Sequence, residues 1–316
     1  MNAPDPGLAG DWHDQRRYVS LTMEFRCNLR CVHCMIEGTM DRLAPQSDDR
    51  FEEVMAHNRE TGQWSGLILT GSEITLRRDL PDLARRARDS GFRDIRIQTH
   101  GMRLGNPAFA RELVEAGVNE FFISVAGDCA ESHDRITKVR GSWAKMLRGI
   151  QNLEEWDHVK VLTNTVVTEE SYRLLPGVVD ALTDYRNLRQ MEFWIYWPMK
   201  ETDEKDLIAS YPAMLPWLHE AAARARAARR RIEIKNVPQC LLGADDHLLV
   251  NDQPLLLIDP AFWTEFHRNG FHQCPLRESC ASTQCLGFNT AYIRKFGTHD
   301  ALLRPYAADR LPGAAA

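Results

Sequence analysis

Residues 24–35 read Glu24-Phe-Arg-Cys27-Asn-Leu-Arg-Cys31-Val-His-Cys34-Met35, three cysteines spaced C-x3-C-x2-C behind the apolar-rich run 18–23. Three thiolates held this close are costly unless a metal centre neutralises them. Four-iron clusters are carried by Cys thiolates, normally four of them. Three cysteines leave one iron open to a ligand from outside the chain. Residues 18–25 mix aromatic and β-branched side chains and read as a strand, so the cysteines follow the C-terminal end of a first strand.

The rest of the chain repeats that strand in alternation with helices. Asp48 and Asp49 open a helix running to about Thr61, with acids where the helix dipole favours them. Strand 66–70 follows, then helix 79–90, strand 94–99, helix 106–116 and strand 120–125. Helix 141–156, strand 160–167, helix 170–184, strand 190–197, helix 204–230 and strand 232–237 complete the run. Alternation on this scale predicts parallel β/α units with right-handed crossovers. A full eight-fold barrel needs about 250 residues of such units, whereas roughly 220 are present and make six. The predicted fold is therefore α/β, a partial (β/α)6 TIM-type barrel, with an open doubly wound sheet as its rival. Residues 1–17 read as a polar lead-in, 18–237 as the barrel, 238–297 as a Cys-rich extension and 298–316 as a tail. In a barrel of this kind function sits on the loops after the strands, where the three cysteines fall.

The totals exclude several classes. The chain has 316 residues, a net charge of −5 and eight cysteines. Its densest basic run, 224–231, lies on a helix-like Ala/Arg segment and reads as a solvated face rather than a nucleic-acid patch. No secretory signal opens the chain and no apolar run approaches membrane-spanning length. A cytoplasmic protein is expected, binding neither nucleic acid nor membrane. In that setting eight cysteines point to metal or redox chemistry rather than a disulfide framework.

The C-x3-C-x2-C motif at this place resembles the signature of the radical S-adenosylmethionine (radical SAM) enzymes. The resemblance implies a 4Fe-4S cluster on Cys27, Cys31 and Cys34 whose open iron chelates S-adenosylmethionine. Electron transfer would then yield a 5′-deoxyadenosyl radical. Thr70-Gly-Ser-Glu-Ile-Thr75, one unit later, matches the family's Gly-Gly-Glu-Pro-like turn at Gly71, Ser72 and Glu73, with Ile74 departing from Pro. There the backbone and the Glu73 carboxylate would receive the cofactor's amino group. His33 occupies the position whose ring lies against adenine. Ser124 matches a family serine for the cofactor's carboxylate or ribose. Asn164, inside an apolar strand, would cost about 1–3 kcal/mol buried without a partner, which makes it a ligand contact or a core hydrogen bond. His133-Asp-Arg-Ile-Thr137 looks like the family's His-Asp-x-x-Arg stretch, with Lys138 or Arg140 left to supply the cation that Thr137 does not.

Four further cysteines, Cys240, Cys274, Cys280 and Cys285, resemble the auxiliary-cluster region called SPASM or twitch, although the spacing is not the full two-cluster pattern. They imply a second 4Fe-4S cluster with all four ligands, over the open side of the barrel; a structural zinc site is the rival. Cys129 stands alone after the fourth strand. It reads either as a thiol that returns a hydrogen atom to a substrate radical or as an inert loop cysteine. His100, Asp128 and Glu192 are further candidates for binding substrate.

The expected function is hydrogen abstraction from a small natural-product intermediate (a sugar, aminocyclitol or nucleoside), ending in epimerisation with Cys129 as donor. About 17 residues precede the first strand, too few for the peptide-binding domain found in many auxiliary-cluster relatives. A peptide remains possible through a separate carrier. The alternatives are a dehydrogenase or peptide maturase using the second cluster as electron acceptor, and a zinc-stabilised binding protein. An external electron donor such as flavodoxin or ferredoxin is implied.

Overall fold

The computed structural model describes residues 17–36 and 42–307. The lead-in through residue 16 and the tail from 308 onward lie outside the described residues.

The chain alternates as expected. Strand β1 (Tyr18–Glu24) is followed by α1 (Asp48–Thr61), β2 (Gly66–Gly71), α2 (Leu80–Asp89), β3 (Asp94–Thr99) and α3 (Pro107–Ala116). Next come β4 (Glu120–Ser124), α4 (Ala130–Thr137), α5 (Ser142–Leu153), β5 (Lys160–Val167) and α6 (Leu175–Leu182). The series ends with β6 (Leu188–Ile195), α7 (Tyr211–Ala227), β7 (Arg231–Lys235), β8 (Leu255–Leu257), α8 (Pro260–Phe266) and α9 (Thr290–Phe296). Local chemistry sets many of these ends. Ser47 caps α1 by accepting from Arg50 N, and Gly62 closes it in the left-handed conformation.

All eight strands are parallel, in the order β7-β6-β5-β4-β3-β2-β1-β8. From β1 to β7 the order follows the sequence without reversal. A doubly wound sheet would turn back at a switch point, so the partial barrel is the fold. Its gap lies between β7 and β8. The chain bridges that gap itself: Leu249 makes a parallel bridge to Ile234 of β7, and six residues later Leu255 begins the pairing with Val19 of β1. Among the described residues no helix is long and apolar enough to cross a membrane.

The strand period of two gives the sheet two unlike faces. Val19, Leu21, Leu67, Leu69, Ile95, Ile97, Phe121 and Ile123 are buried in the main apolar core together with helix residues such as Phe51, Leu83 and Leu113. Alternate positions form a polar inner face. Near its N-terminal edge Arg96 Nε donates to Glu120 Oε2 at 2.9 Å, with both side chains essentially buried. Tyr18 Oη also donates to Glu120, at 3.1 Å, and Lys160 Nζ lies 3.1 Å from its other oxygen.

Three differences from the sequence reading have physical causes. Helix α4 was not expected, because Cys129 is a poor N-cap; Ser132 does the capping instead, its Oγ accepting from the N–H groups of Asp128 and Cys129. The helix expected from 204 begins only at Tyr211. Asp203 accepts from the N–H groups of Leu207 and Ile208 and holds that stretch as a loop. Strand β8, three leucines long, is too short to carry a period. Differences at other ends are a few residues.

Glu120→Ala would leave Arg96 buried without its counter-ion, at a cost of about 3–5 kcal/mol. Denaturant unfolding measures this, and a loss below about 1 kcal/mol would mean the pair behaves as a solvated one.

Candidate functional site

The three-cysteine loop leaves β1 at Glu24, whose carboxylate is clamped by Arg26 at 2.6 Å. Gly71 is required beside it: a Cβ there would stand 1.9 Å from the Glu24 carbonyl oxygen. The close approach lets Ser72 N donate to that same oxygen at 2.8 Å. On its far side the loop is held by the C-terminal turn of α4, where Thr137 and Ile136 carbonyls accept from Arg30 N (3.1 Å) and Val32 N (3.0 Å). Lys205 Nζ donates to the carbonyls of Val32 and Cys34. Thr137, standing where the motif has Arg, thus gives its carbonyl to the cysteine loop, and its hydroxyl pairs with Ser142.

Cys27, Cys31 and Cys34 are half-buried. Burial raises the Cys27 thiol pKa, and the negative charges of Glu73 and Cys34 push it the same way against the Leu29 N–H that lowers it. Such a group needs a cation beside it to stay ionised. That fits a cluster held by these three thiolates, whose one open iron would take a ligand from outside.

Glu73 is fully buried. Its Oε1 accepts from Thr75 N, Thr75 Oγ1 and Thr99 Oγ1 at 3.0, 2.5 and 2.7 Å. Its Oε2 accepts from His100 N at 2.8 Å. The carboxylate thus ties the end of β2 to the end of β3, and the turn at Gly71 and Ser72 is what it positions. His100, expected to meet substrate, is engaged at both ring nitrogens. Met102 N donates to Nδ1 at 3.2 Å, which assigns the ring proton to Nε2, 2.6 Å from Asn28 Oδ1 and 3.1 Å from Glu73 Oε2. Burial keeps this imidazole pKa low against the opposing pull of Glu73.

The remaining candidates fall into two groups. Ser124, Asn164 and Glu192 stand side by side in the register of β4, β5 and β6. Ser124 is exposed, and Asn164 Oδ1 is buried with no partner among the described residues. Glu192 is spoken for: Gln190 Nε2 and Trp194 Nε1 donate to it at 2.7 Å each, and burial raises its pKa. His33 Nδ1 is buried without a partner among the described residues; burial, aided by Lys205 and His133, lowers its pKa to about 4, so the ring is neutral. Lys138 and Arg140 are exposed just past α4. Cys129 is exposed at the start of α4, its Sγ 3.5 Å from Ser132 Oγ. Asp128 accepts from the same hydroxyl at 2.7 Å and lies against Gly177 of α6. It is therefore engaged by the helix layer rather than set in the row on the inner face.

The four later cysteines come together. Cys240, Cys274, Cys280 and Cys285 line one small cavity, with Tyr306 at its rim. Burial raises the Cys240 and Cys285 thiols, and each feels the other three cysteines or two of them. Backbone N–H groups of Gly287 and Tyr306 point at Cys285 Sγ (3.3 Å) and Cys280 Sγ (3.4 Å), as is usual around metal thiolates. Among the described residues no three Cys, His, Asp or Glu side chains close on a single-ion position as they stand. The extension is bolted to the barrel by Asn251, whose Oδ1 accepts from Asn236 N at 3.1 Å, and by Tyr292, stacked on Tyr211 at 4.0 Å. No local pattern marks His100 as a tie between strands, since that role depends on partners 72 and 27 residues away.

The model of the radical SAM superfamily matches residues 23–179. Curated relatives include the Fe-coproporphyrin III synthase of Methanosarcina barkeri, 28% identical over 171 residues, 54% of this chain and 42% of that protein. Another is the GTP 3',8-cyclase of Marinobacter nauticus, 34% identical over 152 residues, 48% and 45% of the two chains. The chain spans about half the length of the curated relatives it matches. Among solved structures, Streptococcus suis SuiB bound to precursor peptide SuiA aligns with TM-score 0.56 and 14% identity, over 74% of this chain and 52% of that one. Native anSMEcpe with bound AdoMet aligns with TM-score 0.54 and 16% identity, over 69% and 63%. At these identities the structural likeness speaks for the fold.

A four-iron cluster at each cysteine set would give about eight irons per chain after anaerobic purification. Changing Cys27, Cys31 and Cys34 to Ala should remove about half of them, and changing Cys240 and Cys285 the other half. Zinc retained at the second set, with only the first half being iron, would make that site structural instead.

Proposed function

Because this chain belongs to the radical SAM superfamily, we propose that it cleaves S-adenosylmethionine at Cys27, Cys31 and Cys34 and acts on a C–H bond of a small polar molecule. The observation that carries this reading is the convergence of three turns. The cysteine loop after β1, the Gly71–Glu73 turn after β2 and His100 after β3 are hydrogen-bonded to one another at one end of the barrel. When bound, the cluster and S-adenosylmethionine would supply the 5′-deoxyadenosyl radical that takes the hydrogen atom.

The chain's own residues do the placing. The backbone at Gly71 and Ser72, held by Glu73, receives the cofactor's amino group. The neutral His33 ring would lie against its adenine, and Lys138 or Arg140 would meet its carboxylate. Ser124 and the unpartnered Asn164 Oδ1 offer polar contacts on the inner face. That polar face supports a hydroxyl- or amine-bearing substrate such as a sugar, aminocyclitol or nucleoside. The name of one relative, a GTP cyclase, is in keeping with it. Cys129 would finish an epimerisation: its S–H bond breaks as a new C–H bond forms, and an external flavodoxin or ferredoxin returns an electron, with a proton from water, to the thiyl left behind. Its exposure beside the strand ends supports this role.

A second reading has its own observation. Four thiols lining one cavity support a fully ligated auxiliary cluster able to accept the electron of the substrate radical. The reaction would then be a dehydrogenation, or the modification of a peptide such as the one in the SuiB complex.

Turnover of such a substrate in D2O separates the two. With Cys129 as donor, the wild type places one solvent deuterium in the product, and Cys129→Ala cleaves S-adenosylmethionine without incorporating any. Deuterium incorporation undiminished in Cys129→Ala would remove the thiol from the reaction.

A further inference from the structure

Two separate turns have to grip one cofactor molecule, one through iron and one through hydrogen bonds. Their spacing is therefore part of the binding site. At the near end a backbone bond joins them, Ser72 N to the Glu24 carbonyl at 2.8 Å. At the far end the join is a side chain. His100 Nε2 lies 2.6 Å from Asn28 Oδ1 and 3.1 Å from Glu73 Oε2, and its own N–H donates to Glu73 at 2.8 Å.

Asn28 is the residue after Cys27. The opposite limb of the cysteine loop, at Arg30 and Val32, hangs on α4, and on the first limb Asn28 is where a side chain ties the loop to the β2 turn through His100. The imidazole is well placed to hold it. Its side chain is 6% exposed, and Met102 N fixes the ring by donating to Nδ1. Glu73, the other end of the tie, cannot move either, because Thr75 and Thr99 hold its second oxygen.

We propose that His100 is a positioning residue that sets the distance between the iron-binding loop and the cofactor-facing turn of β2. The proposal rests on Cys27, Cys31 and Cys34 holding the cluster. Preorganisation of this kind acts on affinity and geometry rather than on assembly. His100→Ala should therefore keep its iron and weaken S-adenosylmethionine binding about tenfold, the size of one lost net hydrogen bond. The change in the EPR spectrum of the reduced cluster on adding S-adenosylmethionine should shrink with it.

A merely structural role would lower thermal stability and leave affinity untouched. His100→Gln retains a donor of similar reach and should restore affinity to within about threefold of wild type. Asn28→Ala removes the other partner at an exposed position and tests the same bond if His100→Ala fails to fold. In the double variant the loss should match that of the worse single variant, since the two act through one contact. The proposal fails if both single variants bind S-adenosylmethionine as the wild type does, or if their effects multiply. Wild-type protein that takes up no iron would overturn the cluster assignment itself, a separate outcome read before any variant is compared.

Discussion

A carboxylate with no solvent contact governs the geometry of the strand ends. Removing an ionised carboxylate from water costs several kcal/mol after relaxation, and Glu73 offsets that with four donors from Thr75, Thr99 and His100. Those donors come from two strands. The group that cannot afford to lose them therefore holds β2 and β3 in one relation at their C-terminal ends. Everything proposed for the site hangs on that relation: the Gly71 turn lies just before the carboxylate, and the cysteine loop is reached from it through His100. Gly71 completes the arrangement by removing the one atom, a Cβ, that would keep β2 from passing under Glu24.

The sheet divides its work by face and by level. Its outer face is apolar and packs on helices, which is where the hydrophobic stabilisation lies. On the inner face of β3, β4 and β5 the charged residues occupy the N-terminal ends of the strands. Glu120 and Lys160 are the first residues of β4 and β5, and Arg96 is the third of β3. Buried ions are tolerable only when paired, and these are paired with one another. Further along the strands the inner face changes to Ser124 and Asn164, neutral groups with capacity left over. Along β3 to β5 a compensated ionic layer thus fills one end, and the row above it passes from Ser124 and Asn164 to Glu192, whose charge partner is Lys235 of β7 at 4.0 Å.

Much of this was legible in the residues. The C-x3-C-x2-C spacing, the Gly-Ser-Glu turn one unit on and the β/α alternation needed only local sequence, because each is a short pattern with a fixed period. What escaped was non-local. Helix α4 starts on a cysteine and is capped from Ser132, so no N-cap residue announces it. Strand β8 is defined by its pairing with β1, not by its own three leucines. Glu73, His100 and Glu192 were legible as polar groups near the site, yet their hydrogen bonds show each already committed to protein partners. A sequence marks which groups are able to bind; only the fold tells which have been used.

The two cysteine sets differ in a way that bears on their chemistry. The first has three thiols on a loop held through its backbone by α4 and through the Asn28 side chain by His100, and a four-iron cluster on it would have one iron without a cysteine. The second has four thiols around one cavity, with backbone N–H groups directed at the sulfurs. A complete set of four protein ligands leaves no position for substrate: holding iron and sulfur it would serve electron exchange, and holding zinc it would be structural. The segment that joins the edge of β7 to the edge of β1 carries one member of this second set, Cys240, near its start. Cys240 follows β7, and Gln239 N donates to Cys285 Sγ at 3.5 Å, so the second set gathers next to the edge strand β7.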